Sequence, residues 1–81
     1  SLDRAGVLAG LEELRAALDD GNAQAGEKLE PLEETLRQMG CEDLVNELRS
    51  QIEVFELDEA SATVSTMLER LSSDEAIRGM V

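Results

Sequence analysis

Residues 25–40 read AGEKLEPLEETLRQMG, and the spacing of their apolar members decides the fold. Ala25, Leu29, Leu32, Leu36 and Met39 recur in alternating steps of four and three, which sets all five on one stripe of an α-helix. A stripe with that rhythm is a heptad-like seam, the pattern of a helix laid along a neighbouring helix. Pro31 sits inside it, where the ring removes a backbone donor and crowds the preceding turn. We therefore expect a kink near Glu30, or two shorter helices meeting there. Gly40 closes the segment.

The same period appears on both sides of this segment. Upstream, Leu8, Leu11, Leu14 and Leu18 form a stripe widened by Val7 and Ala17, with Asp3 suited to cap its start. The turn Asp19-Asp20-Gly21-Asn22 ends that helix: Gly21 tolerates the left-handed conformation, and Asn22 suits the N-cap of the next helix. Downstream, a third stripe uses Cys41, Leu44 or Val45, Leu48, Ile52 and Phe55, with Glu42 and Asp43 in its first turn, where the helix dipole favours acids. A fourth uses Ala60, Val64, Met67, Leu68 and Leu71. Asp58 is the expected N-cap of that helix, with Leu57 stapled onto Ala62. Ser72-Ser73-Asp74-Glu75 has the spacing of a capping box and is expected to begin a short turn containing Ile77 and Met80. The bundle is thus expected over residues 3–72, with 73–81 a short helical turn or tail. Short connections make sequential helices antiparallel, so the predicted architecture is all-α, an antiparallel up-down four-helix bundle.

The two halves echo each other. LRAALDDGNAQAGEKLEPL over 14–32 and LRSQIEVFELDEASATVSTML over 48–68 each give a helix, an acidic turn and Ala-x-Ala opening a second helix. Duplication and convergence on a common hairpin pattern both account for this.

Composition agrees with helices and narrows the chemistry. Apolar residues are 42% of the chain but aromatics only 1%, so the core must be aliphatic, and sparse β-branched residues argue against a sheet. The net charge of -12 would repel nucleic-acid backbones and anionic membranes, leaving solubility or a basic partner as its natural readings. Cys41 is the sole cysteine, so no internal disulfide can form, which points to a reducing, cytoplasmic setting. No apolar run is long enough for a membrane span. The chain opens on Ser1 rather than methionine, so we expect a piece of a larger multidomain protein.

Histidine is absent, and that closes most catalytic routes. Di-iron bundles need Glu-x-x-His pairs, and zinc needs Cys or His clusters. The Asp19–Asn22 turn resembles a calcium loop only in part: Glu27 falls six residues after Gly21, but Ala17 occupies an earlier ligand position. Cys41, Ser61 and Ser65 have no histidine to activate them. Glu33 and Glu34 are adjacent on a helix and point in different directions, unlike an acid/base pair. No phosphate-cradling glycine loop is present. We expect no enzyme activity, no cofactor and no metal.

One stretch carries more than composition. Leu48-Arg49-Ser50-Gln51-Ile52-Glu53-Val54-Phe55-Glu56-Leu57-Asp58-Glu59-Ala60, followed by Val64, Met67, Leu68 and Leu71, resembles a hairpin of bacterial two-component proteins. In these, a helix ends in a phrase like Phe-Asp-Phe-Asp-x-Ala and a leucine-rich helix returns. The phrase from Leu14 to Ala25 resembles the companion hairpin. Together, over roughly Leu8 to Leu71, they are similar to the histidine-phosphotransfer-like C-terminal domain of hybrid sensor histidine kinases and response regulators. That family carries His-x-x-Lys-Gly ahead of a glycine-containing turn. Counting ten residues back from Gly40 sets Glu30 at the histidine position and Glu33 at the lysine position. Glutamate offers no phosphoramidate relay, and two acids would repel a phosphoryl group. Both residues otherwise read as ordinary solvated helix positions. The resemblance thus implies a degenerate, pseudo-phosphotransfer bundle.

On that resemblance, the expected function is a noncatalytic interaction module of a two-component sensor kinase, docking receiver or kinase domains without accepting phosphate. Its parent would be a histidine kinase in the cytoplasm, anchored in the inner membrane or free. The alternative is a free-standing acidic adaptor that binds a basic helix or forms a homo-oligomer. An acyl-carrier domain fits size and charge but needs an Asp-Ser-Leu phrase, whereas Ser72 and Ser73 precede Asp74.

Overall fold

The protein is described by a computed structural model covering residues 3–22 and 24–79, with side chains described as far as Ser72. Four helices account for nearly all of it: α1 (Arg4–Asp19), α2 (Ala25–Gln38), α3 (Glu42–Glu53) and α4 (Leu57–Gly79). Asp3 caps α1 as its sequence position suggests, accepting from the Gly6 amide at 2.8 Å.

All three turns close by one device. After α1, the Asn22 amide donates to the Ala17 carbonyl and the Gly21 amide to Leu18; after α2, Cys41 donates to Leu36 and Gly40 to Arg37. After α3, Glu56 donates to Gln51 and Phe55 to Ile52. Each is a Schellman pair, which satisfies helix-end carbonyls by turning one residue left-handed. That residue is Gly21 (φ +73°) in the first turn, Gly40 (φ +87°) in the second and Phe55 (φ +59°) in the third. Spacing alone places Phe55 on the apolar stripe of α3, but the helix ends at Glu53 and the ring is 67% exposed.

Three other expectations are corrected. Of the two outcomes expected at Pro31, a kink or two shorter helices, the second is excluded, since α2 runs unbroken from Ala25 to Gln38. Pro31 is exposed, as is Glu27, whose carbonyl has no proline N–H to accept. Buried Leu29, Leu32 and Leu36 hold the segment on both sides. Next, α4 starts at Leu57, so Asp58 lies in its first turn and the Glu56 carbonyl accepts the Ala60 amide at 2.9 Å. Leu57 packs against the core, while Ala62 is exposed, so no staple joins them. Finally, the backbone of α4 continues helical through Ser72-Ser73-Asp74-Glu75 to Gly79. A capping box acts where a chain enters a helix, and here the backbone is already helical. The side chains of Ile77 and Met80 lie outside the described residues.

Each helix packs on two others, α1 and α3 both contacting α2 and α4, which leaves α1 opposite α3 and α2 opposite α4. Cross-helix bonds give the directions. Arg4 Nη1 donates to the Leu71 carbonyl at 2.6 Å, while at the far end of α1 the Ser61 hydroxyl donates to Asp19 Oδ1 at 2.6 Å. Arg70 reaches Asp43 at 3.1 Å, and Thr63 Oγ1 reaches Gln51 Oε1 at 2.7 Å. α4 therefore runs against both α1 and α3. The seams meet in an aliphatic core whose largest fully buried side chains include Leu11, Leu14, Leu36, Leu48, Met67 and Leu71. Gly10 lets α1 approach α2 closely: a Cβ there would stand 2.8 Å from Leu32 Cδ2. The radius of gyration is 12.2 Å, close to the roughly 12 Å expected of a single domain this size. No described helix is long and apolar enough to cross a membrane.

Candidate functional site

Glu30 and Glu33 both lie on α2, three residues apart and nearly one turn from each other. Glu30 is exposed, as its sequence position suggests. Glu33 is not the solvated residue expected from sequence: it is only 8% exposed. It sits beside the Leu29–Leu32–Leu36 seam and turns toward α3, where Arg49 Nε lies 3.3 Å from its Oε1. Burying a carboxylate needs such a partner. Glu34, its sequence neighbour, is exposed, so the two acids do point apart.

Glu30, Glu33 and Arg49 line a groove between α2 and α3 with Glu53. Its apolar lining comes from Gly26, Leu29 and Ile52. The groove holds about 160 Å³, room for one side chain or a few waters and well below the roughly 300 Å³ where cofactor sites begin. Three carboxylates against one guanidinium make it net acidic, and Arg49 is tied to Glu33. Glu30 and Glu53 are in no ion pair among the described residues. Chemically, such a groove can hold a cation or an apolar side chain, and it is lined by no histidine, cysteine, serine or lysine.

The other residues singled out from sequence serve elsewhere. Cys41 is fully buried at the start of α3. Asp19 accepts the Ser61 hydroxyl, and Asn22 Oδ1 accepts the Gln24 amide at 2.8 Å, so these turn oxygens are used in local structure. Among the described residues, no group of three or more His, Cys, Asp or Glu side chains converges to hold a metal. Across the bundle, a hydrogen bond from Arg70 holds Asp43 below its ordinary carboxylate value, and the same contact raises Arg70.

Sequence reasoning missed Arg49, Ile52 and Glu53 as neighbours of Glu30 and Glu33. Their α-helical spacing was visible, but their register against α2 was not. Comparison with protein-family models, curated proteins and solved structures returned no match.

Proposed function

We propose that this bundle is a noncatalytic interaction module of the bacterial two-component type, docking receiver or kinase domains through its α2–α3 face without accepting phosphate. The observation that carries the reading is the shared groove: Glu30 and Glu33, aligned by resemblance with an acceptor histidine and its lysine, line one cleft. A phosphorelay helix needs an exposed imidazole there and a cation to neutralise the incoming phosphoryl group. Here the acceptor position is an exposed carboxylate, and the one guanidinium is engaged by Glu33. Such a surface would repel an incoming phosphoryl group. By the same resemblance, the module belongs on the cytoplasmic side, within a larger sensor kinase.

The test is incubation with a phosphorylated receiver carrying radiolabel. Binding without transfer of label supports the reading; stable label on the bundle overturns its noncatalytic part. A second reading, a free-standing acidic adaptor or dimerisation bundle, is favoured by the exposed Val54–Phe55 pair and the net charge of -12. Sedimentation across a concentration series separates the two, because self-association through that pair would appear without any receiver.

A further inference from the structure

We propose that the α2–α3 groove and the adjoining Val54–Phe55 turn form a docking surface for a basic amphipathic helix of a partner protein. The inference deepens the reading above and rests on it in taking α2–α3 as the docking face. Three observations at one end of the bundle carry it.

The first is an internal contrast. Three turns share one hydrogen-bonding geometry, and two of them use glycine at the left-handed position. The third uses Phe55, the chain's only aromatic residue. A bulky side chain there costs of order 1 kcal/mol in backbone strain. That strain gains little burial within the fold, because Phe55 is 67% exposed and Val54 is 60% exposed. These two are the exposed large hydrophobic residues among those described.

The second is continuity. Ile52 and Glu53 line the groove, and Val54 and Phe55 come directly after them in the chain as α3 ends. Half-buried Ile52 and the exposed Val54 and Phe55 that follow it give the end of α3 apolar side chains that suit others spaced i, i+4 along one partner helix.

The third is charge. Glu30 and Glu53 border the groove without partners among the described residues, and α3 has no basic residue in its last turn to offset the negative end of its dipole. Lysines or arginines flanking the partner's apolar side chains would meet these carboxylates. An acidic or neutral helix would not.

The probe is a designed helical peptide with leucines at i, i+4 flanked by lysines and arginines. A second peptide has the same leucines flanked by glutamates. Both are titrated into the full 81-residue chain by calorimetry, with amide chemical shifts mapping the site. Binding of the basic peptide alone, with shifts on α2, α3 and the Val54–Phe55 turn, is the expected result. Glu30→Lys with Glu53→Lys should weaken it by about tenfold or more, whereas the charge-matched Glu12→Lys with Glu69→Lys should not. Phe55→Gly should weaken binding while raising fold stability, a pair of opposite signs that a purely structural role would not produce. Equal loss in both charge-reversed variants, shifts confined to α1 and α4, unchanged affinity of Phe55→Gly, or no binding would each overturn the proposal. Assaying a receiver domain alongside separates the two readings. A receiver that docks where the peptide does not sinks only this inference; peptide binding with no receiver or kinase bound sinks the two-component reading.

Discussion

Arg49 Nε stands 3.3 Å from Glu33 Oε1 across the α2–α3 interface, the guanidinium side half-open to water and the carboxylate side nearly closed. That asymmetry decides what each substitution does. Arg49→Met leaves a mostly buried carboxylate without its cation and should cost about 1 kcal/mol. Glu33→Gln keeps an acceptor for the guanidinium and should cost less. A double-mutant cycle in urea should return a coupling of about 0.5–1 kcal/mol, reduced by high salt. Additive single effects would mean that the pair contributes nothing.

The left-handed turn residues give a prediction with two signs. Phe55→Gly relieves the strain at φ +59° and gives up only the covered minority of a side chain that is 67% exposed, so it should stabilise the bundle, by up to about 1 kcal/mol. Gly40→Ala does the reverse at φ +87°, where no neighbouring atom crowds an added Cβ, so its loss of about 1 kcal/mol is purely conformational. Thermal melts followed by circular dichroism read both shifts.

These turns also mark how far the sequence could be read. Gly21 and Gly40 announced their helix ends because glycine signals the left-handed position, and the four leucine-rich seams announced the helices between them. Phe55 carried no such signal: a bulky residue reads as core when its spacing fits, and only the hydrogen bonds closing α3 put it in the turn. Ser72–Glu75 misled for the opposite reason, having the spacing of a helix start inside a helix that never stopped. The groove was half legible. Glu30 and Glu33 could be singled out on α2, but the burial of Glu33 depends on how α3 is registered against it. That register is set by which side chains interlock across the interface, and neither helix's own periodicity contains it.

The core should respond as a single small unit. Leu48 and Leu36 are fully buried on facing helices, so truncating either to alanine opens a cavity in an aliphatic core with no rings to collapse into it. Each should lose about 3 kcal/mol or more in urea unfolding. For a domain this size, that is a large part of the total. The double variant should be unfolded at room temperature by circular dichroism.

Asp43 and Arg70 give the bundle a small, defined acid dependence. Their contact at 3.1 Å lowers the carboxyl below its ordinary 3.8, chiefly through the hydrogen bond from Arg70. A lowered carboxyl favours folding above its unfolded value and loses that contribution as pH falls through the folded one. Arg70, raised by the same contact, stays charged throughout. The stability difference between the native chain and Asp43→Asn should therefore be constant from neutral pH down to about pH 5, shrink below that and vanish under the folded value. Comparing the two proteins matters because protonating the remaining acids also relieves the self-repulsion of a chain carrying -12, which acts on both alike. A difference that stayed flat to the lowest pH, or that grew on acidification, would show that Asp43 gains nothing from Arg70 in the folded state.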